Sequence, residues 1–364
     1  MSRGRVLSRF KWTTVVPLAA LAMLAPTWGT KPGGVVLAVV AVFLAFAVPA
    51  AVHHAEVIAH RVGEPLGALV LAVAVTVIEV ALIVTLMVSA DSDTSTLARD
   101  TVFAAVMLTC NAIVGLSLLA VTIRGDVATF GAEGTATALG TVLTLATLSL
   151  VVPTFTTSRP GPEFSSEQLT FAALTSLVLY LLFVFVQNVR HRDQFVEPVR
   201  VEEDPSHGDE PPSNRQMLIS LGLLLAALVA VVGLAKVESP AIEDAVDAIG
   251  APQSAVGVVI AILVLMPETV AAVRNAQRGR LQTSFNLAFG SAMASIGLTI
   301  PAIAVASIWL DGPLVLGLGS TQMVLLAVTA VVGALTVLPG RATLQEAAVH
   351  LVIAAAFVFL AINP

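Results

Sequence analysis

The chain has 364 residues, of which 57% are hydrophobic and only 12% charged, with a formal net charge of −6. Globular proteins carry about a quarter charged residues, so a water-soluble fold of this size is excluded and the apolar side chains need lipid as part of their solvent. The weak negative charge offers no footing for nucleic acid. The single cysteine, Cys110, rules out a disulfide framework or a cysteine-rich metal site. It lies in an apolar run and reads as an inert buried thiol.

A helix needs about 20 apolar residues to cross the hydrocarbon core. In chain order, eleven segments meet that need: 13–29, 33–52, 65–90, 100–123, 137–157, 168–187, 217–236, 253–273, 283–309, 313–338 and 342–362. Strand-type alternation is absent, which argues against a β-barrel. The basic N-terminus is followed by a full-length apolar span without a small-residue cleavage pattern, so no removable leader is expected.

Positive charge tests the count. With the N-terminus in the cytoplasm, the cytoplasmic segments hold 14 of the 18 Lys and Arg residues. The outer segments hold Lys31, Arg99, Arg159 and Lys236. A wrong number of spans would scramble this bias, so eleven spans with the C-terminus outside are expected, in a plasma membrane. The one long hydrophilic stretch, 188–216, is acidic and reads either as a solvated linker or as a cation-attracting or regulatory loop. It divides the chain into a leading segment (1–32), a first half (33–187), the linker (188–216) and a second half (217–364).

The halves contain similar sequences. Gly63-Glu-Pro-Leu-Gly-Ala leads to Val77-Ile-Glu79-Val and on to Val114-Gly-Leu-Ser117. Ala255-Val-Gly-Val leads to Met266-Pro-Glu268-Thr and on to Ile296-Gly-Leu-Thr299. By the charge count the first copy starts inside and the second outside. The expected fold is therefore an all-α polytopic membrane protein with one leading helix and two inverted five-helix repeats.

Glu79 and Glu268 each fall within an apolar span. A carboxylate there costs several kcal/mol and persists where it lines a polar cavity, binds a cation or carries a proton. One such residue could simply pin helices together through a hydrogen bond; two at matching repeat positions point to ion binding. Two carboxylates brought together repel, so the pair is expected to hold protons. A divalent cation supplies the missing charge and expels them. Pro267 reads either as a plain kink or as a device that frees a backbone carbonyl for coordination. Further oxygen ligands are available from Thr76, Thr109, Asn111, Asn286, Ser291 and Ser295, each of which could equally be a helix–helix hydrogen bond. The small residues around Gly290 would allow close helix approach. His53, His54, Glu56 and His60 form a polar cluster on the cytoplasmic side, either an interfacial loop or an access path for protons and cations. Asp100 reads as a helix-terminal charge and His350 as a packing histidine.

Ala55-Glu56-Val-Ile-Ala-His60 through Glu79, with Met266-Pro-Glu268, Phe289-Gly-Ser-Ala and Ile296-Gly-Leu-Thr-Ile-Pro301, resembles the paired repeats of the cation/calcium exchanger superfamily. Within it the chain is similar to bacterial calcium/proton antiporters of the ChaA type, over nearly everything after the first span. The resemblance implies exchange of Ca²⁺ for H⁺ driven by the proton gradient, with Glu79 and Glu268 as the ion-binding metal ligands. It places Glu56, with His54 and His60 nearby, on the cytoplasmic ion or proton path. Related exchangers carry Gly-Asn-Ala-x-Glu in both repeats; here Val75 replaces the first glycine, and Thr76 and Leu265 replace the asparagines. Sodium/proton or potassium/proton exchange at the same glutamates is the alternative reading, and a cation channel a remoter one. The partners implied are inorganic cations, protons and the bilayer. No resident cofactor is expected, and no oligomeric state follows. An enzyme is not expected, because the spans hold no His-Glu-x-x-His, no Gly-x-Ser-x-Gly and no base for Cys110.

Overall fold

The computed structural model describes residues 12–30, 32–63, 66–89, 94–197, 212–248, 250–309 and 312–364. Residues 198–211 of the acidic linker, the basic N-terminus with Arg3, Arg5, Arg9 and Lys11, and the outer Lys31 lie outside the described residues. Among the described residues the regular structure is helical, apart from one two-residue strand pairing and an isolated bridge between Glu163 and Val315. The helices are α1 (Trp12–Thr27), α2 (Gly34–Val62), α3 (Leu66–Ser89), α4 (Leu97–Met107), α5 (Val114–Thr122) and α6 (Ala132–Ala146). They continue with α7 (Ser166–Phe185), α8 (Asn214–Ala248), α9 (Ser254–Gln277), α10 (Leu281–Ala306), α11 (Ser320–Val337) and α12 (Leu344–Ile362). Helices α4 and α5 form one span through a π-helical turn, Leu108–Ile113. Helix α6 ends in a second such turn, Thr147–Val151.

Among the described residues, ten helices are long and apolar enough to cross a membrane. The leading helix α1 is shorter: its 16 residues reach about 24 Å at 1.5 Å per residue, less than the ~30 Å core. Two spans run ten residues or more beyond their sequence limits. Helix α2 extends to Val62 because nothing between Pro49 and Gly63 breaks it; Gly63, at φ 76°, takes the left-handed turn that stops it. His53, His54, Glu56 and His60 thus lie on the last turns of a helix and not in a loop. Helix α8 continues to Ala248, which carries Glu238 out of the expected loop. Helix α11 begins seven residues later than the apolar run, because Gly312, Gly317 and Gly319 belong to a loop that packs across neighbouring segments.

The chain forms two compact units. One comprises residues 1–92 and 209–245, the other 93–208 and 246–364. Each therefore draws helices from both halves of the sequence. In the first unit, α2 packs between α1 and α3, and the Leu24 side chain fills the notch left by Gly233 of α8. Lys236 lies over the Trp28 ring at 5.3 Å.

In the second unit, the span Leu97–Thr122 is the central element: 83% of its apolar stretch is buried, against 22% for Ser166–Arg190. The reason is visible in α7. Phe171, Leu174, Val178 and Phe185 recur at helical spacing on its exposed face, while Ala172, Ser176, Tyr180 and Phe183 face inward. A continuous exposed apolar stripe is the surface lipid selects. Helix α4 meets α9 closely at Gly257, where a Cβ would lie 2.8 Å from the Thr101 nitrogen. The strands Ala128–Thr129 and Arg341–Ala342 pair antiparallel and tie the α5–α6 and α11–α12 connections together.

Candidate functional site

Glu79 is the fourteenth residue of α3 and Glu268 the fifteenth of α9, in helices of 24 residues each. Both are buried, at 4% and 7% exposure, within spans of mean hydropathy 2.8 and 2.4. Each unit thus encloses one carboxylate near the middle of an apolar helix. That is costly unless the charge is offset by a proton or a cation.

Around Glu79, Thr76 is also buried, and the three-residue spacing puts both on one helical face. Around Glu268, α9 runs unbroken through Pro267. The proline has no N–H, so the Leu263 carbonyl one turn below loses its helical donor. The Thr269 hydroxyl turns back onto the Leu265 carbonyl at 2.7 Å. On α10, which packs along α9, Ser295 is buried and Ser291 half-buried. A Cβ on Gly290 would meet nothing within 4 Å, so this glycine does not serve close packing. Gly297 does: a Cβ there would lie 2.5 Å from that of Tyr180.

Three other expected ligands have defined partners. Thr109 donates to its own helix, to the Ala105 and Val106 carbonyls at 2.7 and 3.0 Å. Asn111 donates to the Met107 carbonyl and to Thr329 Oγ1, at 3.1 and 3.0 Å, and its Oδ1 meets His350 Nδ1 at 3.3 Å. Both sit on the π-helical turn, whose extra residue rotates side chains inward and which recurs at functional sites. Asn286 accepts from Gln282 at 3.1 Å and donates to the Phe195 carbonyl at 2.6 Å.

In the first unit, His54 is buried. Its Nε2–H donates to the Thr13 carbonyl at 2.8 Å and its Nδ1 lies 3.3 Å from Ser220 Oγ. It joins α1, α2 and α8. Glu56 and His60 are exposed, and Glu56 lies 3.8 Å from His53.

Glu238 escaped the sequence reading, and the burial of Asp100 was not expected. Glu238 is 5% exposed; the signal was a charge inside a helix longer than its apolar run. Asp100 is 3% exposed in the first turn of α4 and pairs with Arg99 at 2.8 Å. It also accepts from Gln322 Nε2 at 3.1 Å, and Arg99 reaches the Gly317 carbonyl at 3.2 Å. A cavity of about 270 Å³ opens beside them, lined also by Ser254, Phe103 and Phe357. Arg99 balances the carboxylate, so this group is a clasp joining α4 to the start of α11.

The model of the family described as sodium/calcium exchanger protein matches residues 33–189 and 219–363. The chain belongs to this family. The exchanger chain is 43% identical to the y4hA protein of Sinorhizobium fredii over 356 residues, covering 97% of this chain and 96% of that one. It is 32% identical to the sodium-potassium/proton antiporter ChaA of Escherichia coli over 363 residues, with the same 97% and 96% coverage. Its fold is similar to that of the Ca²⁺/H⁺ antiporter protein YfkE, with a TM-score of 0.71 at 13% identity, covering 97% of this chain and all of the other. The chain is thus an integral membrane secondary transporter of the cation-exchanger kind, and not an enzyme. Glu79 falls in the first matched segment and Glu268 in the second.

Proposed function

We propose that this protein is a cation/proton antiporter in which Glu79 and Glu268 both take part in ion binding, each alternately charged by a cation or neutralised by a proton. The observation that carries the proposal is the burial of one carboxylate at mid-helix in each unit. Hydroxyls of Thr76, Ser291 and Ser295 and carbonyls freed near Pro267 supply the neutral oxygens that hard cations prefer. The charge bias supports a cytoplasmic N-terminus and an outer C-terminus in a cell membrane, with the proton gradient driving cation efflux. His54, Glu56 and His60 then lie on the cytoplasmic side, on the ion or proton path.

Two carboxylates match the charge of Ca²⁺, which makes calcium/proton exchange the first reading. A specific observation favours a second. Thr76 and Leu265 stand where a calcium cage would use amide oxygens, and the Escherichia coli relative is a sodium-potassium/proton antiporter. Fewer strong oxygens suit Na⁺ or K⁺.

The test is cation-induced proton movement in everted membrane vesicles, adding Ca²⁺, Na⁺ and K⁺ in turn to wild type, Glu79→Gln and Glu268→Gln. Collapse of the acid gradient in wild type alone supports the antiporter, and the cation that causes it names the substrate. Normal exchange by both single variants would remove the glutamates from the mechanism. Ion flux indifferent to a pH gradient would favour a channel.

A further inference from the structure

The first part of the acidic linker, where it leaves α7, is held down. Arg192–Phe195 forms a single 3₁₀ turn. Phe195 is buried, with its ring edge-on to Phe183 at 5.6 Å. Gly134 of α6 presses against the Gln194 carbonyl, at a spot no larger residue could occupy.

Glu197 comes next. Its Oε1 accepts from the Thr283 N–H at 2.8 Å and the Thr283 hydroxyl at 3.0 Å. Its Oε2 accepts from the Gln282 N–H at 3.1 Å. One carboxylate from outside the helix thereby serves two of the free N–H groups in the first turn of α10, at the end where negative charge is favoured. Gln282 extends the connection. Its Oε1 accepts from the Gly131 N–H at 2.7 Å, and its Nε2 donates to Thr135 Oγ1 and Asn286 Oδ1, both at 3.1 Å. Asn286 closes the ring on the Phe195 carbonyl. The strap 192–197 and the first turns of α6 and α10 are thus tied at one point.

We infer that Glu197 is a positioning residue for exchange: with Gln282 and Asn286 it fixes α10 along its axis, and so sets where Ser291 and Ser295 stand beside α9 and Glu268. A slip of one residue along α10 would shift these side chains by about 1.5 Å and rotate them by about 100°. Asn286 acts here through the helix it anchors. The inference rests on the antiport reading above and adds to it a control point outside the spans.

The test uses full-length protein with Cys110→Ser and Ser291→Cys, comparing Glu197, Glu197→Asp and Glu197→Ala. Thiol-reagent rate at position 291 and thermal unfolding in detergent are measured on these proteins, and cation dependence of exchange in vesicles on the same Glu197 series with Ser291 and Cys110 intact. With Glu197→Ala, the thiol rate and the apparent KM for the cation are expected to change about fivefold or more, and Glu197→Asp to restore part of both. If Glu197→Ala folds poorly, Thr283→Ala removes one of the three bonds and is expected to give a smaller change of the same kind. A lower unfolding temperature with unchanged thiol rate and KM would overturn the inference and leave Glu197 a mere cap. If the native Ser291 protein exchanges no cation, the antiport reading falls, while the thiol rate still decides whether Glu197 positions α10.

Discussion

Asn111 and His350 meet at 3.3 Å inside the second unit, amide oxygen against ring Nδ1. Because the amide oxygen can only accept, Nδ1 carries the proton and Nε2 accepts from the Thr336 hydroxyl at 3.1 Å. Asn111 Nδ2 is spent on Met107 and Thr329, and the Thr329 hydroxyl meets Met107 Sδ at 3.6 Å. The histidine that looks like filler in the sequence therefore closes a network around the π-helical turn.

His350→Leu should leave the Thr336 hydroxyl and Asn111 Oδ1 buried with a lost partner. Each such group costs about 1–3 kcal/mol, so the variant should unfold several degrees earlier in detergent. Thr336→Val, which removes only one hydroxyl, should cost less. Equal unfolding temperatures for His350→Leu and wild type would show that the network contributes nothing.

Glycines on α9 and α10 make opposite predictions. At Gly257 a Cβ would strike the backbone of Asp100 and Thr101 at 2.8–2.9 Å, and backbone cannot step aside. Gly257→Ala should force α4 and α9 apart and cost about 1–3 kcal/mol. At Gly290 the same methyl meets nothing within 4 Å, and alanine favours a helix by up to about 1 kcal/mol. Gly290→Ala should keep or raise the unfolding temperature. Thermal unfolding of the two proteins side by side checks both, and a Gly290→Ala protein less stable than Gly257→Ala would contradict the packing.

The spans and the placing of Glu79 and Glu268 inside them were readable because hydropathy acts locally. The limits of α2 and α8 were not, because both helices continue past the apolar run where composition signals a loop: over His53–His60 in one case and through Ser239 and Pro240 in the other. Asp100 read as a helix-terminal charge. It does sit in the first turn of α4, but its carboxylate is held by Gln322 and its partner Arg99 by the Gly317 carbonyl, both more than 200 positions away in the chain. Asn286 shows the same limit. The sequence offers its side chain either as an oxygen ligand or as a helix–helix hydrogen bond, and its bonds to Gln282 and the Phe195 carbonyl depend on how the strap folds back.

The Arg99–Asp100 clasp should behave as a buried ion pair, with side chains 15% and 2% exposed. Asp100→Ala leaves Arg99 facing the Gly317 carbonyl without its counter-charge, and breaking such a pair by one partner costs about 3–5 kcal/mol. Arg99→Met combined with Asp100→Ala should cost less than the sum of the two single changes. A double-mutant cycle on unfolding free energy checks this, and strict additivity would show that the two residues are not coupled.

Selectivity should respond to Thr76. It is buried three residues before Glu79 on the same face of α3, and its hydroxyl oxygen is a weaker ligand for Ca²⁺ than a carboxamide oxygen. Thr76→Asn places an amide oxygen beside the Glu79 carboxylate, where Ca²⁺, with more ligands to fill than Na⁺, gains more from it. One added oxygen ligand worth about 1.4 kcal/mol would shift the ratio of apparent Ca²⁺ to Na⁺ affinity about tenfold towards Ca²⁺. Exchange assayed in vesicles over a series of Ca²⁺ and Na⁺ concentrations measures that ratio. Thr76→Val, which keeps the shape and removes the oxygen, should move it the other way or lower both affinities. If neither change alters the ratio, Thr76 is a helix-packing residue and the ions are held by other oxygens.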